Sequence, residues 1–492
     1  MKPFYSIILS ALVILGAMGG CTEDFQQIDK PKTTAADIDS KYLFTRSLVT
    51  GSGISVGVWQ YQHQLRGSVY AQHFTNINSD FTTANFEPLP GNTIWEWYYA
   101  RKYFAPLNLN HQVLKLARGE DNPIKTGVAR IWNVYLYQIL TDQYGDIPYF
   151  NAFEKAKPAF DPQQEIYADM LSELDQAVEQ IKDNRNKGYE GHGEADVLYQ
   201  GNLDQWIRFA NTLTMRLALR VSNVAEQELT IPHLERLDVG QTMQSVDDAA
   251  RILPDPNGPT YHVKNPLSYV SQWNEIRVSQ TMMNFLKGYD DPRLEVYANP
   301  NEAGEYVGLR NGQPTDSLSL RYNNHYVPDY CNIGSYFTGK ETPHQLLTYA
   351  EACFLKAEAA YKGYISGSAE DFYNQGIRAS FRQYGITNTD TIEAYLQGSA
   401  SYDPANALKQ IHRQRWIALY PNGREAWSLV RRTGHPQMME PVYTFSGNQE
   451  MPRRVPYPTA ERRYNKKHYQ QAVSRMGGDS QYTRVWWDTQ NP

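Results

Sequence analysis

The sequence predicts an all-α fold, a tetratricopeptide-like scaffold of helix pairs with long aromatic-rich loop insertions. Apolar residues recur at helical spacing along several segments, and small residues such as Ala350, Ala357 and Ala360 would let neighbouring helices approach closely. Residues 59–95 and 252–345 are instead rich in Gly, Pro, Asn, Asp and aromatic side chains, and loops of this length are usually functional. No strict repeat of about 34 residues is visible, so the resemblance to a tetratricopeptide array is general.

The composition narrows the function classes. The 492 residues are 41% hydrophobic and 20% charged, which is ordinary for a globular protein and excludes disorder of the whole chain. The formal charge of −6 and the absence of a basic stripe argue against a nucleic-acid partner. The 36 Tyr outnumber the 17 Phe, and amphipathic rings suit wet binding faces, although a large surface that simply tolerates Tyr is an equal alternative.

The N-terminus carries an export signal. Lys2 precedes an apolar run over residues 4–17, which is too short for a transmembrane helix, and the run closes with Met18-Gly19-Gly20-Cys21. Small residues before a cysteine resemble the lipobox of bacterial lipoproteins, in which the cysteine is acylated and becomes the first residue. We therefore expect a signal peptide over 1–20 and lipidation at Cys21; the alternative is a plain secretory signal with a cysteine at its end by chance.

The chain after Cys21 is predicted to form a tether and one folded domain. Residues 21–40 are polar and predict a flexible tether, and residues 41–492 are expected to form a single helical domain. Cys331 and Cys353 could pair or stay free, so the fold does not depend on disulfides. No segment beyond the signal approaches the ~18 apolar residues of a spanning helix.

The helices of the body are predicted from apolar periodicity. Gly145 should end the first long helix, and Asp204 is a plausible N-cap for the third. The predicted helices are 126–143, 165–181, 204–221, 345–361, 370–384 and 404–420.

Motifs for catalysis or cofactors are missing from the sequence. There is no His-Glu-x-x-His, Gly-x-Ser-x-Gly or Cys-x-x-Cys motif. Residues 334–340 (GSYFTGK) imitate a phosphate loop, but Glu341 follows where Ser or Thr should hold magnesium, so we interpret the match as coincidence. Asn76, Asn78 and Asp80 imitate a calcium loop that has Phe81 in place of the required Gly. We expect neither a cofactor nor a metal.

Further along the chain, several segments resemble the SusD/RagB family of outer-membrane lipoproteins, most closely its SusD-like branch. The resemblance rests on several segments that occur along this chain in the same order as in the family. The segments are 131–153 (IWNVYLYQILTDQYGDIPYFNAF), 165–181, 204–221, 288–294 (GYDDPRL), 349–363 (YAEACFLKAEAAYKG), 414–436 (QRWIALYPNGREAWSLVRRTGHP) and 454–465 (RVPYPTAERRYN).

The resemblance implies a function and partners. Members of the family are all-helical binding proteins without catalytic activity on the outer face of the outer membrane. Each caps a SusC-like TonB-dependent transporter barrel and helps to deliver oligosaccharides to it, while one branch delivers peptides. For this chain the implied partners are that barrel, an oligosaccharide or peptide ligand, and outer-membrane lipid through Cys21, with no nucleic acid.

The ligand site is predicted from the chemistry of sugars together with the regions that hold ligand aromatics in this family. A sugar ring stacks its apolar face on a flat aromatic side chain, while polar side chains bind the hydroxyl rim. We expect Trp95 and Trp273 as stacking platforms and Asp80 and Asn92 as hydroxyl partners. The same regions add Tyr269 and Tyr336 as ligand-binding residues, beside Trp97 and Phe337. For each aromatic the alternative is a core or loop-anchoring role; Trp416, Trp427 and Arg431 are interpreted as structural.

Other functions remain open at this point. A tethered glycoside hydrolase would need two carboxylates across a cleft, and Glu351 and Glu358 share a helical face, although a solvated or salt-bridged face explains them better. A purely structural lid is a third possibility, and peptide cargo is an alternative to glycan. The acidic chain makes strongly anionic glycans less favoured, unless a local basic patch such as Arg431-Arg432 overrides the average.

Overall fold

The computed structural model describes residues 39–78, 80–101, 104–255, 264–313 and 329–489, and these residues are mostly helical. The longer helices are α1 (Ser40–Gly51), α2 (Pro106–Gly119), α3 (Pro123–Tyr144), α4 (Gln163–Asn184), α5 (Leu203–Arg220), α6 (Gln280–Gly288), α7 (Tyr349–Tyr361), α8 (Ala369–Gln383), α9 (Thr389–Gln397), α10 (Ala407–Ala418), α11 (Gly423–Thr433) and α12 (Lys466–Met476). Short helical turns connect them. The all-α, tetratricopeptide-like prediction is confirmed.

The first five helices pack against each other in chain order, each on the next. The ends of α3 show why the chain folds locally in this way. The side chain of Asn122 accepts hydrogen bonds from the amides of Ile124 and Lys125, which satisfies donors at the helix start. At the other end Gly145 has a φ of +82°, a conformation that glycine adopts without strain, so the predicted stop is confirmed.

A second group of helices packs around α7. This helix contacts α8 and α10, and its contact with α5 joins the two groups. The small residues predicted to allow close approach lie here, and a Cβ on Gly376 of α8 would lie only 2.7 Å from the Phe354 ring of α7. Close packing of α7 on α8 therefore depends on a small residue at this contact.

Two predicted helix starts are wrong. Helix α5 is capped by Asn202, whose side chain accepts from the Gln205 amide over 3.1 Å. Asp204 lies in the first turn and forms a 2.8 Å ion pair with Arg185. Residues 345–347 are not helical but belong to a strand, and α7 begins only after Thr348, whose hydroxyl accepts from the amide of Glu351. A short 3₁₀ turn, Pro404–Asn406, also precedes α10.

The described strands form three antiparallel pairs between distant parts of the chain. Strand β1 pairs with β3, β2 with β6 and β4 with β5. Their bounds are β1 (Phe74–Asn76), β2 (Ala250–Ile252), β3 (Ile276–Val278), β4 (Ala298–Asn299), β5 (Asn332–Ile333) and β6 (His344–Leu347). The β1–β3 pair attaches the long middle segment to an earlier part of the chain, whereas β4 and β5 pair within that segment.

Part of the segment predicted to be irregular, residues 59–95, is helical. Val56–Trp59, Gln60–Gly67 and Ser68–Tyr70 form one continuous helical stretch that packs against α11. A Cβ on Gly67 would lie 2.6 Å from the backbone nitrogen of Arg424, so the two backbones meet closely. The stretch carries buried polar side chains, which hide its helical periodicity in the sequence.

A buried set of ion pairs joins five helices. We call Asp142, Arg216, Arg220, Glu351, Arg415 and Glu425 the arginine network. Within it Arg216–Glu351, Arg220–Asp142 and Arg415–Glu351 are separated by 2.7 Å each and Arg415–Glu425 by 3.0 Å, while Arg220 also contacts Glu425. These pairs link α3, α5, α7, α10 and α11.

Residues predicted to be structural are buried in this scaffold. The rings of Trp416 and Trp427 are almost fully covered, and the Arg431 guanidinium lies 3.8 Å from the centroid of Trp427. Cys331 and Cys353 are buried and free, so the option of a disulfide between them is wrong. Among the described helices none is long and apolar enough to cross a membrane.

Candidate functional site

The pairing of β1 with β3 brings two distant loops together. Because the pair is antiparallel, the residues that follow β1 lie beside the residues that precede β3. The amide of Ile77 extends the pairing by donating to the carbonyl oxygen of Glu275 over 2.8 Å. The loop that carries Asp80 and the turn that ends at Trp273 are therefore neighbours.

Glu275 organises the polar part of this junction. Its Oε1 accepts a hydrogen bond from Asn78 Nδ2 over 2.7 Å, and its Oε2 accepts from Gln64 Nε2 over 3.0 Å. The Asn78 side-chain oxygen in turn accepts from the amide of Asp80 over 2.8 Å. With the loop fixed in this way, the Asp80 side chain stays exposed, as a partner for sugar hydroxyls must be.

Trp273 and Tyr269 occupy one helical segment above this junction. Trp273 ends the turn Ser271–Trp273 and is 43% exposed. Tyr269, one turn earlier on Leu267–Val270, is half-buried, and Lys264 Nζ lies 5.3 Å from its ring centroid. An indole this exposed leaves part of its ring surface accessible to a ligand.

Tyr336 lies on the adjoining short helix. Ser335–Thr338 contacts Leu267–Val270, and Asn265 Nδ2 fastens the two by donating to the carbonyl oxygens of Phe337 and Gly339 over 2.5 and 2.9 Å. Tyr336 is 37% exposed, with its hydroxyl 3.3 Å from the carbonyl oxygen of Gln383. We call Tyr269, Trp273 and Tyr336 the loop aromatics; they stand on two packed helices.

A narrow cleft opens beside Tyr336 and leads into the scaffold. We call it the Tyr336 cleft. The space open to the centres of water molecules measures about 50 Å³. Aromatic rings and polar side chains line it together, among them Trp59, Tyr336, Phe337, Tyr384, Tyr420, His63, His344 and Arg424.

Both histidines in the cleft are neutral at pH 7. Burial lowers the pKa of His344 to about 4 and lowers the pKa of His63 well below its ordinary value. His344 Nε2 lies 2.9 Å from the carbonyl oxygen of Ser52, which can only accept, so this nitrogen carries the proton. The cleft therefore offers neutral donors and acceptors beside the Arg424 cation.

The structure corrects the prediction for Trp95. Its side chain is 1% exposed, and the rings of Tyr99, Tyr144, Phe160 and Tyr457 surround it at centroid distances of 5.2 to 6.1 Å. A ring enclosed in this way has no face for a ligand. The helix Asn92–Trp95 docks against the segment that carries Tyr457, a contact that connects distant parts of the sequence.

The remaining predicted residues of these regions have different surroundings. Asn92 is exposed at the start of its short helix, which contacts Gln60–Gly67, and stays a predicted ligand residue. The Trp97 ring is half-buried with the Arg101 guanidinium 5.3 Å from its centroid. Phe337 is buried against Tyr420, so it serves the core. Cys21 lies outside the described residues.

The carboxylates considered for hydrolysis are held in ion pairs. Glu351 belongs to the arginine network, and Glu358 pairs with Arg432 over 2.6 Å. Both side chains are buried, so the alternative of a solvated helix face is wrong and that of a salt-bridged one holds. Among the described residues no group of three or more His, Cys, Asp or Glu is arranged to hold a metal ion.

Comparison with known families identifies the chain. Residues 39–458 match the family model described as "Starch-binding associating with outer membrane". The chain belongs to this SusD-like family. Comparison with curated protein sequences gives no match.

Solved SusD-like structures share the fold over most of their length. A chitin-binding SusD homolog from Flavobacterium johnsoniae is 28% identical, with a TM-score of 0.80 over 92% of this chain and 99% of the other. A SusD homolog from Bacteroides vulgatus is 27% identical, with a TM-score of 0.76 over 88% and 93%. A SusD-like protein from Bacteroides thetaiotaomicron is 25% identical, with a TM-score of 0.79 over 92% and 99%.

Sequence reasoning missed two groups in this SusD-like chain. Glu275 and Gln64 fix the Asp80 loop, yet neither stands in a pattern that the sequence could reveal. His63, His344 and Arg424 meet in the Tyr336 cleft from three separate segments. His63 stands between Gln62 and Gln64 in a polar stretch, so its neighbours in the sequence give no signal for this group.

Proposed function

We propose that this SusD-like protein is a lipid-anchored receptor on the cell surface that binds oligosaccharides and delivers them to a partner TonB-dependent transporter. The exposure of Trp273 beside the Asp80 loop is the observation that carries the proposal. The loop aromatics give stacking faces, and Asp80 gives a hydroxyl acceptor. Such a site is shallow and wet, which suits binding and release of a transported nutrient.

The comparisons support carbohydrate as the ligand. The matching family is described as starch-binding, and the solved Flavobacterium johnsoniae neighbour as chitin-binding. For this chain the ligand class is therefore a neutral or weakly charged oligosaccharide, with the linkage to be found by experiment. A peptide ligand is an outcome that the same experiment detects.

The carboxylates of α7 support binding without hydrolysis. Burial alone would raise the pKa of Glu358, but Arg432 and His412 hold it well below its ordinary value. A glycosidase acid needs the opposite shift, because it must carry a proton at neutral pH. Glu358 is therefore unsuited to the role of general acid.

The anchor completes the proposal. Acylation of Cys21 with two or more chains would hold the protein on the membrane, because each buried CH₂ contributes roughly 0.8 kcal/mol. The residues between Cys21 and the start of α1 would form the tether. The association of the family with the outer membrane supports this location.

The binding site is tested with the full chain in detergent. Intrinsic fluorescence and calorimetry are measured against chito-oligosaccharides, malto-oligosaccharides and short peptides. Trp273→Ala should weaken the binding of the responding glycan roughly thirtyfold or more, while Tyr189→Ala, which removes an exposed ring elsewhere, should leave it unchanged. Release of reducing ends would indicate an enzyme. Binding of peptides alone would show that the ligand is a peptide and not a glycan, and no binding of either class would indicate a structural lid.

The anchor and the transporter are tested in cells. Cys21→Ser should abolish metabolic labelling with a palmitate analogue and release the protein from the outer membrane. The wild-type chain, purified in mild detergent, should carry a TonB-dependent barrel with it. Recovery of the labelled wild-type protein without any barrel would contradict the delivery role.

A further inference from the structure

Arg424 is a buried cation without a carboxylate partner in the described chain. Its side chain is 5% exposed, and its Nη2 donates to the hydroxyl of Tyr135 over 3.1 Å. Its Nε has no hydrogen-bond partner among the described residues. Because arginine stays protonated, the cleft contains a fixed positive charge.

The neighbouring arginines differ from Arg424. Arg216, Arg220 and Arg415 face three carboxylates in the arginine network, so their charges are balanced. Arg432 pairs with Glu358, and Arg431 donates to the carbonyl oxygens of Asp142 and Arg453. Arg431 and Arg432 are both buried, so they do not form the surface basic patch that could have overridden the acidic average.

A buried cation of this kind favours an anionic partner. Removing a charge from water costs several kcal/mol unless an opposite charge or hydrogen bonds compensate for it. The tyrosine hydroxyl compensates only in part, and the Glu351 carboxylate, which also lines the cleft, is already paired with Arg216 and Arg415. A guanidinium with a free N–H is the usual donor to a carboxylate, which it binds with short charge-assisted hydrogen bonds.

The cleft also offers a second polar atom and a size limit. His63 is 4% exposed, and its Nδ1 has no hydrogen-bond partner among the described residues. A water molecule needs about 10 to 15 Å³ of such space, so the 50 Å³ of the cleft hold a few small groups. This is room for a carboxylate but not for a sugar ring, which would remain at the mouth against Tyr336.

We propose that the Tyr336 cleft is a subsite for the carboxylate of an acidic sugar, with Arg424 as the charge that selects it. The inference rests on the proposed binding of glycans at the loop aromatics. It names the substrate class as oligosaccharides that present a uronic acid at the cleft. A single buried cation selects one carboxylate, whereas the net charge of −6 still disfavours a polyanion.

The test compares pairs of sugars that differ only in the carboxylate of the uronic acid. The full chain is titrated by calorimetry with a panel of disaccharides ending in a uronic acid and with their neutral counterparts, such as cellobiouronic acid and cellobiose. The wild-type protein should bind one acidic sugar about tenfold or more tightly than its neutral counterpart. Arg424→Gln should remove this preference, so that the acidic sugar binds no more tightly than its neutral counterpart.

Two further variants sharpen the result. Arg382→Gln removes an exposed charge next to Gln383 at the mouth of the cleft and should keep the preference. Thr342→Phe narrows the cleft while Arg424 is retained, and this variant should lose the preference for the acidic sugar. The conclusion therefore does not depend on the folding of one variant.

The outcomes separate the inference from the proposed function. Equal binding of acidic and neutral sugars by the wild type, or a preference that survives Arg424→Gln, overturns the carboxylate subsite alone. No binding of any sugar overturns both proposals. Binding of a triglycine carboxylate that depends on Arg424, without binding of the uronic acids, replaces the acidic sugar by a peptide terminus.

Discussion

Trp95 and Trp273 are expected to respond to the same substitution in opposite ways. Both were predicted as stacking platforms, but Trp95 is 1% exposed and Trp273 is 43% exposed. Trp95→Ala should therefore lower the free energy of unfolding, and Trp273→Ala should lower the affinity for oligosaccharide. Each variant is the control for the other.

The magnitude for Trp95 follows from its burial. A tryptophan side chain buries up to about 250 Å², and at about 25 cal/mol per Å² this is worth about 6 kcal/mol. The area is an upper estimate because the unfolded chain already covers part of it, and measured losses for Trp→Ala are about 3 to 5 kcal/mol. We expect about 4 kcal/mol for Trp95→Ala.

The magnitude for Trp273 follows from its position at the site. Aromatic anchors at the centre of a binding site cost about 2 kcal/mol or more when truncated, which is roughly a thirtyfold loss of affinity. The free energy of unfolding of the Trp273→Ala variant should differ from that of the wild type by less than about 0.5 kcal/mol, because exposed side chains contribute little to stability.

The assay combines two measurements on each variant. Urea unfolding followed by far-ultraviolet circular dichroism gives the change in stability, and calorimetric titration at a temperature where both variants are folded gives the affinity. An unchanged urea midpoint for Trp95→Ala with loss of glycan binding would refute the assignment of Trp95 to the core. Unaltered affinity in Trp273→Ala would refute the loop aromatics as the site.

Three further predictions concern the scaffold and are read from urea midpoints. Glu425→Gln leaves three buried arginines facing only two carboxylates and should lower the free energy of unfolding by about 3 to 5 kcal/mol. Glu393→Gln, in a pair about one-third exposed, should lower it by less than about 1 kcal/mol, and equal losses in the two variants would contradict the expectation. Burial lowers the pKa of His344 from 6.5 to about 4, so the unfolded chain takes up its proton first as the pH falls. The stability present above pH 6.5 is lost towards pH 4, by about 2 kcal/mol at pH 5, and His344→Gln should weaken this pH dependence. Gly145→Ala should lower the free energy of unfolding by about 2 kcal/mol or more, because φ is +82° and the new Cβ would lie 2.5 Å from the Met476 sulfur. The control Gly119→Ala, with open space around the new Cβ, should leave stability unchanged or raise it.

The helical scaffold could be predicted from local patterns. Apolar spacing predicts α3, α4, α5 and α8 within a few residues, and Gly145 predicts a helix end, because these signals act within one or two turns. The start of α7 was misplaced because strand β6 is fixed by β2, nearly a hundred residues earlier in the chain. The secondary-structure propensity of neighbouring residues contains no information on a pairing strand so far away in the sequence.

The candidate site could be predicted only by region. Trp95 and Trp273 both lie in aromatic segments, and nothing in their neighbouring residues distinguishes a core ring from an exposed one. The difference is made by Tyr457, which covers Trp95. Likewise Glu275 reaches the Asp80 loop only because β1 pairs with β3.

The arginine network has a consequence for the way in which this scaffold comes apart. In a simple helical repeat array each unit contacts only its neighbours, so the array can fray from one end. Here Arg220 of α5 and Glu425 of α11 are bonded across a separation of 205 positions. Neither terminus can unravel past these helices without stranding a charge in the interior, so early and late helices should melt in a single cooperative step.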